Sequence, residues 1–180
     1  MELSVSYKIR DNCIFEHIDV YATEEELQQY LNTISAPLGL FVMEFNALED
    51  EISMYLTEAY QMADIAINTK KLCQMYSDKA KELIKLYKGL VSHDHELIVS
   101  LNELNKLLIS SSSSRNDFAH ASWLYASPSQ GVACSKDKST YRKFELSDIQ
   151  KSHNTVTTAR GHLIHFHNRV QRANKALKRN

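Results

Sequence analysis

Arg115, Asn116 and His120 stand together in the stretch RNDFAHASW, directly after the serine run Ser110 to Ser114. On a helix turning about 100° per residue, Arg115 and His120 diverge by roughly 140°, so they do not form a side-by-side pair. Asn116 and His120 are four apart, the spacing that brings two side chains onto one face. An Asn there can fix an imidazole tautomer through one ring nitrogen. Arg115 then reaches the same space from the neighbouring flank, or meets a second copy of the motif across a dimer axis. A neutral His moves a proton at physiological pH, and a permanently charged guanidinium holds phosphoryl oxygens as charge builds on them. The chemistry this suits is phosphodiester cleavage.

The same loose spacing of Arg and His recurs at Arg10 with His17 and at Arg160 with His165 or His167. Context separates the three: Arg10 falls in an expected hairpin, Arg160 lies inside an amphipathic helix, and Arg115 alone sits where one element gives way to another. The competing structural reading of Arg115 pairs it with Asp117 or another carboxylate and packs His120. In SHDHE, Asp94 and Glu96 suit the positive end of a helix dipole better than a metal ion. In HLIHFH, His162 and His165 adjoin on a helix, but no Glu or third ligand is placed by spacing. Phe118 and Trp123 flank the motif and read as core, or as platforms on which a base stacks. No Gly-rich phosphate loop, nucleophile elbow or kinase signature is present, so no cofactor and no metal is expected.

The elements that must position the motif are mostly helices. Four Gly and two Pro leave few obligatory turns in 180 residues, 43% of them hydrophobic and 24% charged. Leu3, Val5, Tyr7 and Ile9 alternate with polar residues ahead of CIFEHIDVY, which reads as an N-terminal hairpin. Thr23 and Glu26 fit a capping box for a short helix from Glu24 to Asn32, and Pro37 suits the start of the next. From there Leu38, Phe41, Phe45, Leu48, Ile52, Tyr55, Ala59 and Met62 form one apolar stripe, with Glu44, Glu51 and Glu58 off it. A second helix carries Leu72 to Tyr87 and stops near Gly89. Ser92 can cap a third, striped by Leu97, Leu101, Leu104 and Leu108. It runs into the serines as a frayed turn or as helix continued by packing. SWLY and TYRKFEL read as two strands around a long turn. Ser147 and Gln150 then offer a capping box for a last helix through Leu163, Phe166, Val170 and Leu177.

A formal net charge of −1 provides no bulk attraction to nucleic acid or membrane, so any such binding must be local. Charge is uneven. Residues 16 to 51 hold nine acids and no Lys or Arg, whereas Arg169, Arg172, Lys175, Lys178 and Arg179 crowd the C-terminal end. That cluster is a solvated helix face or a phosphate contact. Three cysteines without CxxC spacing, no signal peptide and no span-length apolar run imply a cytoplasmic protein with reduced thiols. The length suits one domain, 1–180, with 1–35 as hairpin and short helix and 36–180 as bundle core.

RNDFAHASW, at the end of a helix and followed by a hairpin and a capped final helix, resembles the HEPN family. That family is marked by an Arg, a polar residue, three variable residues and a His, matched here by Arg115, Asn116 and His120. The likeness runs from about Leu38 to Leu177. It implies a mainly α, antiparallel helical bundle, here with the N-terminal β-hairpin and a second β-hairpin before the last helix. It also implies a homodimer whose two motifs line one cleft, and catalytic roles for Arg115, Asn116 and His120. Catalytic members are metal-independent endoribonucleases in which the 2′-hydroxyl attacks the adjacent phosphate, many of them in toxin–antitoxin or phage-defence systems. Expected partners are therefore RNA, a second copy, and a cognate antitoxin or regulatory protein. Some members keep the fold as non-catalytic binding or oligomerisation modules. In the branch controlled by nucleotidyltransferase antitoxins, a Tyr two residues after the His is the modified group. Here that position is Ser122.

Overall fold

The computed structural model describes residues 24–119, 122–125, 132–137, 140–144 and 146–178. They form a helical bundle. The helices are α1 (Glu24–Met62), the single turn α2 (Thr69–Leu72), α3 (Tyr76–Leu90), α4 (His95–Ala119) and α5 (Leu146–Leu177). Contacts group the chain into two compact units, one of residues 1–42 and 113–153, the other of 43–112 and 154–180. The expected N-terminal hairpin and Thr23 lie outside the described residues.

The apolar stripes define the helices. In α1, Ile34, Phe41, Phe45, Leu48, Ile52, Leu56 and Ala59 are buried at steps of three, four or seven, all in register with 3.6 residues per turn. This continuous stripe explains why the two helices expected on either side of Pro37 are one. Pro37 removes the N–H that would bond the Thr33 carbonyl, yet the core face runs through it from Ile34 to Phe41.

In the second unit α1 and α3 run parallel, not antiparallel. Phe45 stacks on Tyr76 with centroids 4.7 Å apart, Glu49 pairs with Lys79, and the Tyr60 hydroxyl donates to Glu82, so positions rise together along both helices. The reason is the connection 63–75, which returns the chain along α1 by roughly 25 Å, the rise from Phe45 to Met62. That return starts at a tight helix end: the Ile65 N–H bonds the Tyr60 carbonyl and the Asp64 N–H the Gln61 carbonyl. Asp64 between them takes φ 57°, the left-handed position usually given to Gly. Helices α3 and α4 are antiparallel: their short link is tight, and the Tyr76 hydroxyl at the start of α3 reaches the Leu108 carbonyl late in α4. Helix α5 again runs with α1, placing Glu58 at His167 and Met62 at Asn174.

Two expected helix ends move by a residue or two. Gly89 lies inside α3, which ends when the Val91 N–H bonds the Tyr87 carbonyl at 2.9 Å. Asp94, not Ser92, caps α4 through a carboxylate contact of 3.0 Å to the Leu97 N–H. Between α4 and α5, in the first unit, the backbone pairs as three short antiparallel strands, β1 (Ser122–Tyr125), β2 (Val132–Asp137) and β3 (Thr140–Phe144), in that order. This corrects the expected hairpin of two strands around a long turn. Residues assigned to the turn form the central strand, with Trp123 opposite Cys134 and Cys134 opposite Arg142. Among the described residues no helix is long and apolar enough to cross a membrane.

Asp64→Gly is expected to raise stability by about 1 kcal/mol, because Gly takes the left-handed conformation without steric cost. Asp64→Val should lower it by at least as much. Chemical denaturation of the three proteins checks the order, and a less stable Gly variant would contradict the helix end described.

Candidate functional site

The serine run does not break α4. Ser111 is fully buried, and its hydroxyl donates to the Leu107 carbonyl one turn back at 2.8 Å, so its polar group is satisfied within the helix. Helix continued by packing is thus the outcome, and it carries Arg115 and Asn116 on its last turns. Arg115 is half-buried and Asn116 exposed. The Arg115 guanidinium donates through Nη1 to Asn116 Oδ1 across a long 3.4 Å. Asn116, expected to orient the imidazole, thus has a described contact with Arg115; His120 lies outside the described residues. Two of the intervening side chains point inward. Asp117 and Phe118 are buried, and the Phe118 ring meets Phe41 edge-on at 5.0 Å. Phe118 is core in this unit, not a stacking platform.

A second polar constellation lies in the other unit, at residues the sequence reading set aside. Glu44, Glu51 and Glu58 on α1 are seven apart, as are Arg160 and His167 on α5. Seven residues are close to two helical turns, so each set lines one face. Arg160 bridges the first two acids. It contacts Glu44 through Nη1, and its Nε and Nη2 reach Glu51 Oε1 at 3.1 and 2.5 Å. These hydrogen bonds, led by Glu51, hold its guanidinium still further toward the charged form than an ordinary Arg.

One step of seven along, His167 is 2% exposed, with Nε2 2.9 Å from Glu58 and Nδ1 2.7 Å from the Tyr87 hydroxyl. An ionised Glu58 only accepts, so Nε2 carries the proton and Tyr87 donates to Nδ1. The Tyr55 ring stacks on the imidazole at 4.1 Å. Burial pushes the His167 pKa down, against the opposing pull of Glu58, and pushes the Tyr87 phenol up. Carboxylate, imidazole and hydroxyl in line form a proton relay in principle, but Tyr87 is wholly buried. This chain of bonds ties α1, α3 and α5 together. Lys79 closes a third buried pair with Glu49, at 3.0 Å.

The signal that could have found this constellation was the matched seven-residue spacing on two helices. Among the described residues, no group of three His, Cys, Asp or Glu is placed to hold a metal ion. A pocket of about 420 Å³ in the second unit, lined by Tyr60, Ala63, Ile65, Glu82, Lys85 and Leu86 among others, has mostly apolar walls. Compared with known protein families, with curated proteins and with solved structures, the chain finds no match.

Arg160→Met should destabilise by about 2–3 kcal/mol, below most of the roughly 3–5 kcal/mol range for breaking a buried ion pair, since the Arg160 and Glu44 side chains keep 27% and 31% exposure. Adding Glu44→Gln and Glu51→Gln should recover most of the loss. Denaturant titrations decide it, and full stability of the single variant would contradict a bridging role.

His167 also makes stability depend on pH. Because its folded pKa is depressed, the unfolded state binds the extra proton. The contribution is therefore complete above the ordinary value near 6.5 and is lost as pH falls toward the lowered one. Melting temperature should fall more steeply between pH 7.5 and 5 for the wild type than for His167→Gln. Parallel profiles would contradict the assignment.

Proposed function

We propose that this chain is a HEPN-like, metal-independent endoribonuclease. The observation that carries the reading is the contact between the Arg115 guanidinium and the Asn116 amide on the last turns of α4, immediately before His120 in sequence. The helix end carries a cation, partly shielded from water, beside a polar partner. That arrangement favours gripping an anion whose charge grows during reaction.

In the proposed step His120 takes the proton of a substrate 2′-hydroxyl. The freed oxygen attacks the adjacent phosphorus, and Arg115 stabilises the charge on the non-bridging oxygens of the phosphorane. The phosphorus–O5′ bond breaks as O5′ receives a proton from an imidazolium, leaving a 2′,3′-cyclic phosphate and a 5′-hydroxyl. Asn116 orients Arg115 through its carbonyl oxygen. Two copies of the motif in a homodimer supply one acid and one base. The nucleophile is the substrate's own, so the chemistry requires no metal. Such an enzyme fits a toxin–antitoxin or phage-defence role in the cytoplasm, restrained by a cognate inhibitor.

RNA cleavage by the purified protein should persist in EDTA, spare an all-DNA substrate and disappear in His120→Ala. Arg115→Lys should keep its melting temperature and lose on the order of 10²-fold in rate, because the ammonium lacks the planar fork that grips two oxygens. Undiminished cleavage by Arg115→Lys removes Arg115 from the site. A folded wild type that binds RNA without cutting it leaves a HEPN-like binding module instead.

A further inference from the structure

We infer that the solvent face of α5 is a second RNA-contacting surface, taking the phosphate backbone of a single strand; the choice of RNA rests on the ribonuclease reading. From Ile149 to Asn180 the sequence contains no Asp or Glu. The basic residues in that span divide by face. Arg160 and His167 turn inward and are matched by Glu44, Glu51 and Glu58. His162, His165 and Arg172 are exposed, and Arg169 is half-exposed. At about 100° and 1.5 Å per residue, these four fall within an arc of roughly 80° along about 15 Å of helix. Lys175 and Lys178 extend the positive charge toward the helix end.

Among the described residues, Arg169 on this face pairs with Glu96 at 3.6 Å, and Glu96 is 86% exposed on its own side. So exposed a pair is weak and readily exchanged for a phosphate. The excess charge is therefore local, although the chain as a whole carries −1. Planar imidazole and guanidinium groups add a means of stacking unpaired bases, which ammonium groups lack.

Other anionic partners fit less well. A membrane-surface helix needs its apolar side free to enter lipid, but Leu163, Phe166 and Val170 are 0–1% exposed in the core. Within the chain's own acid-rich segment, Glu44, Glu49 and Glu51 are already engaged by Arg160 and Lys79, as Glu58 beyond it is by His167.

The test is fluorescence anisotropy of a labelled, fully 2′-O-methylated RNA, which lacks the nucleophile and survives contact with an active enzyme. The full chain should bind it with an affinity that falls steeply with salt. Arg169→Glu with Arg172→Glu should weaken binding at least tenfold and flatten the slope of log affinity against log salt by roughly 0.7 per lost phosphate contact. Arg169→Gln with Arg172→Gln gives the same direction with less perturbation should the reversal impair folding. Unchanged binding in both double variants overturns the inference, as does tighter binding to anionic phosphatidylserine vesicles or to a poly-glutamate peptide than to the RNA. The two proposals fail separately. Stripe-dependent binding without cleavage of ordinary RNA removes the ribonuclease, and cleavage with stripe-independent binding removes the stripe.

Discussion

Arg160 lies between Glu44 and Glu51, and the packing of the second unit depends on it. Apolar stripes alone do not set the register of two long helices, because a stripe repeating every three or four residues looks similar after a slide of one or two turns. A half-buried guanidinium between two carboxylates does not tolerate that slide. Shifting α5 by one turn would separate three half-buried charges from their partners, at a cost of about 2–3 kcal/mol. Glu58, His167 and Tyr87 repeat the constraint one step of seven along, so α1 and α5 have one parallel alignment rather than several.

That alignment also accounts for the long return between α1 and α3. With α1, α3 and α5 running one way, α4 is the reversed helix of the second unit. The Tyr76 hydroxyl bonds its Leu108 carbonyl, and Leu97, Leu101, Leu104 and Leu108 are buried along it. The same uninterrupted helix continues through the serines to Arg115 and Asn116. On the proposed reading, the motif rides on the last turns of α4, where Phe118 is buried against Phe41, which suits a site that must hold a guanidinium in place while charge develops.

Much of the helical core was legible in the sequence, because burial follows periodicity. Phe41, Phe45, Leu48 and Ile52 in α1, the four leucines of α4, and Leu163, Phe166 and Val170 in α5 all lie where their spacing puts them. Local signals misled where tertiary packing outweighed them. Pro37 reads as a helix start and is overridden by a core face on both sides. The serines read as a possible break, yet Ser111 bonds back to its own helix. Glu44, Glu51 and Glu58 read as lying off the apolar stripe and Arg160 only as inside an amphipathic helix, and the spacing of seven within each helix is what points to their pairing. Of the motif, Arg115 and Asn116 are legible as neighbours at a helix end. The long contact between them is not, since an interval of one residue on a helix does not usually bring side chains together; the expected pairing of Asn116 with His120 lies outside the described residues.

The ends of the RNA fragments test the central claim most directly, because they record which atom attacked the phosphorus. Mass spectrometry of an oligonucleotide cut by the purified protein in EDTA should show 2′,3′-cyclic phosphate on the upstream fragment and 5′-hydroxyl on the downstream one, without incorporation of ¹⁸O from labelled water into the cyclic product. Fragments bearing 5′-phosphate, formed only when divalent metal is supplied, would contradict a mechanism built on the substrate's 2′-hydroxyl, His120 and Arg115.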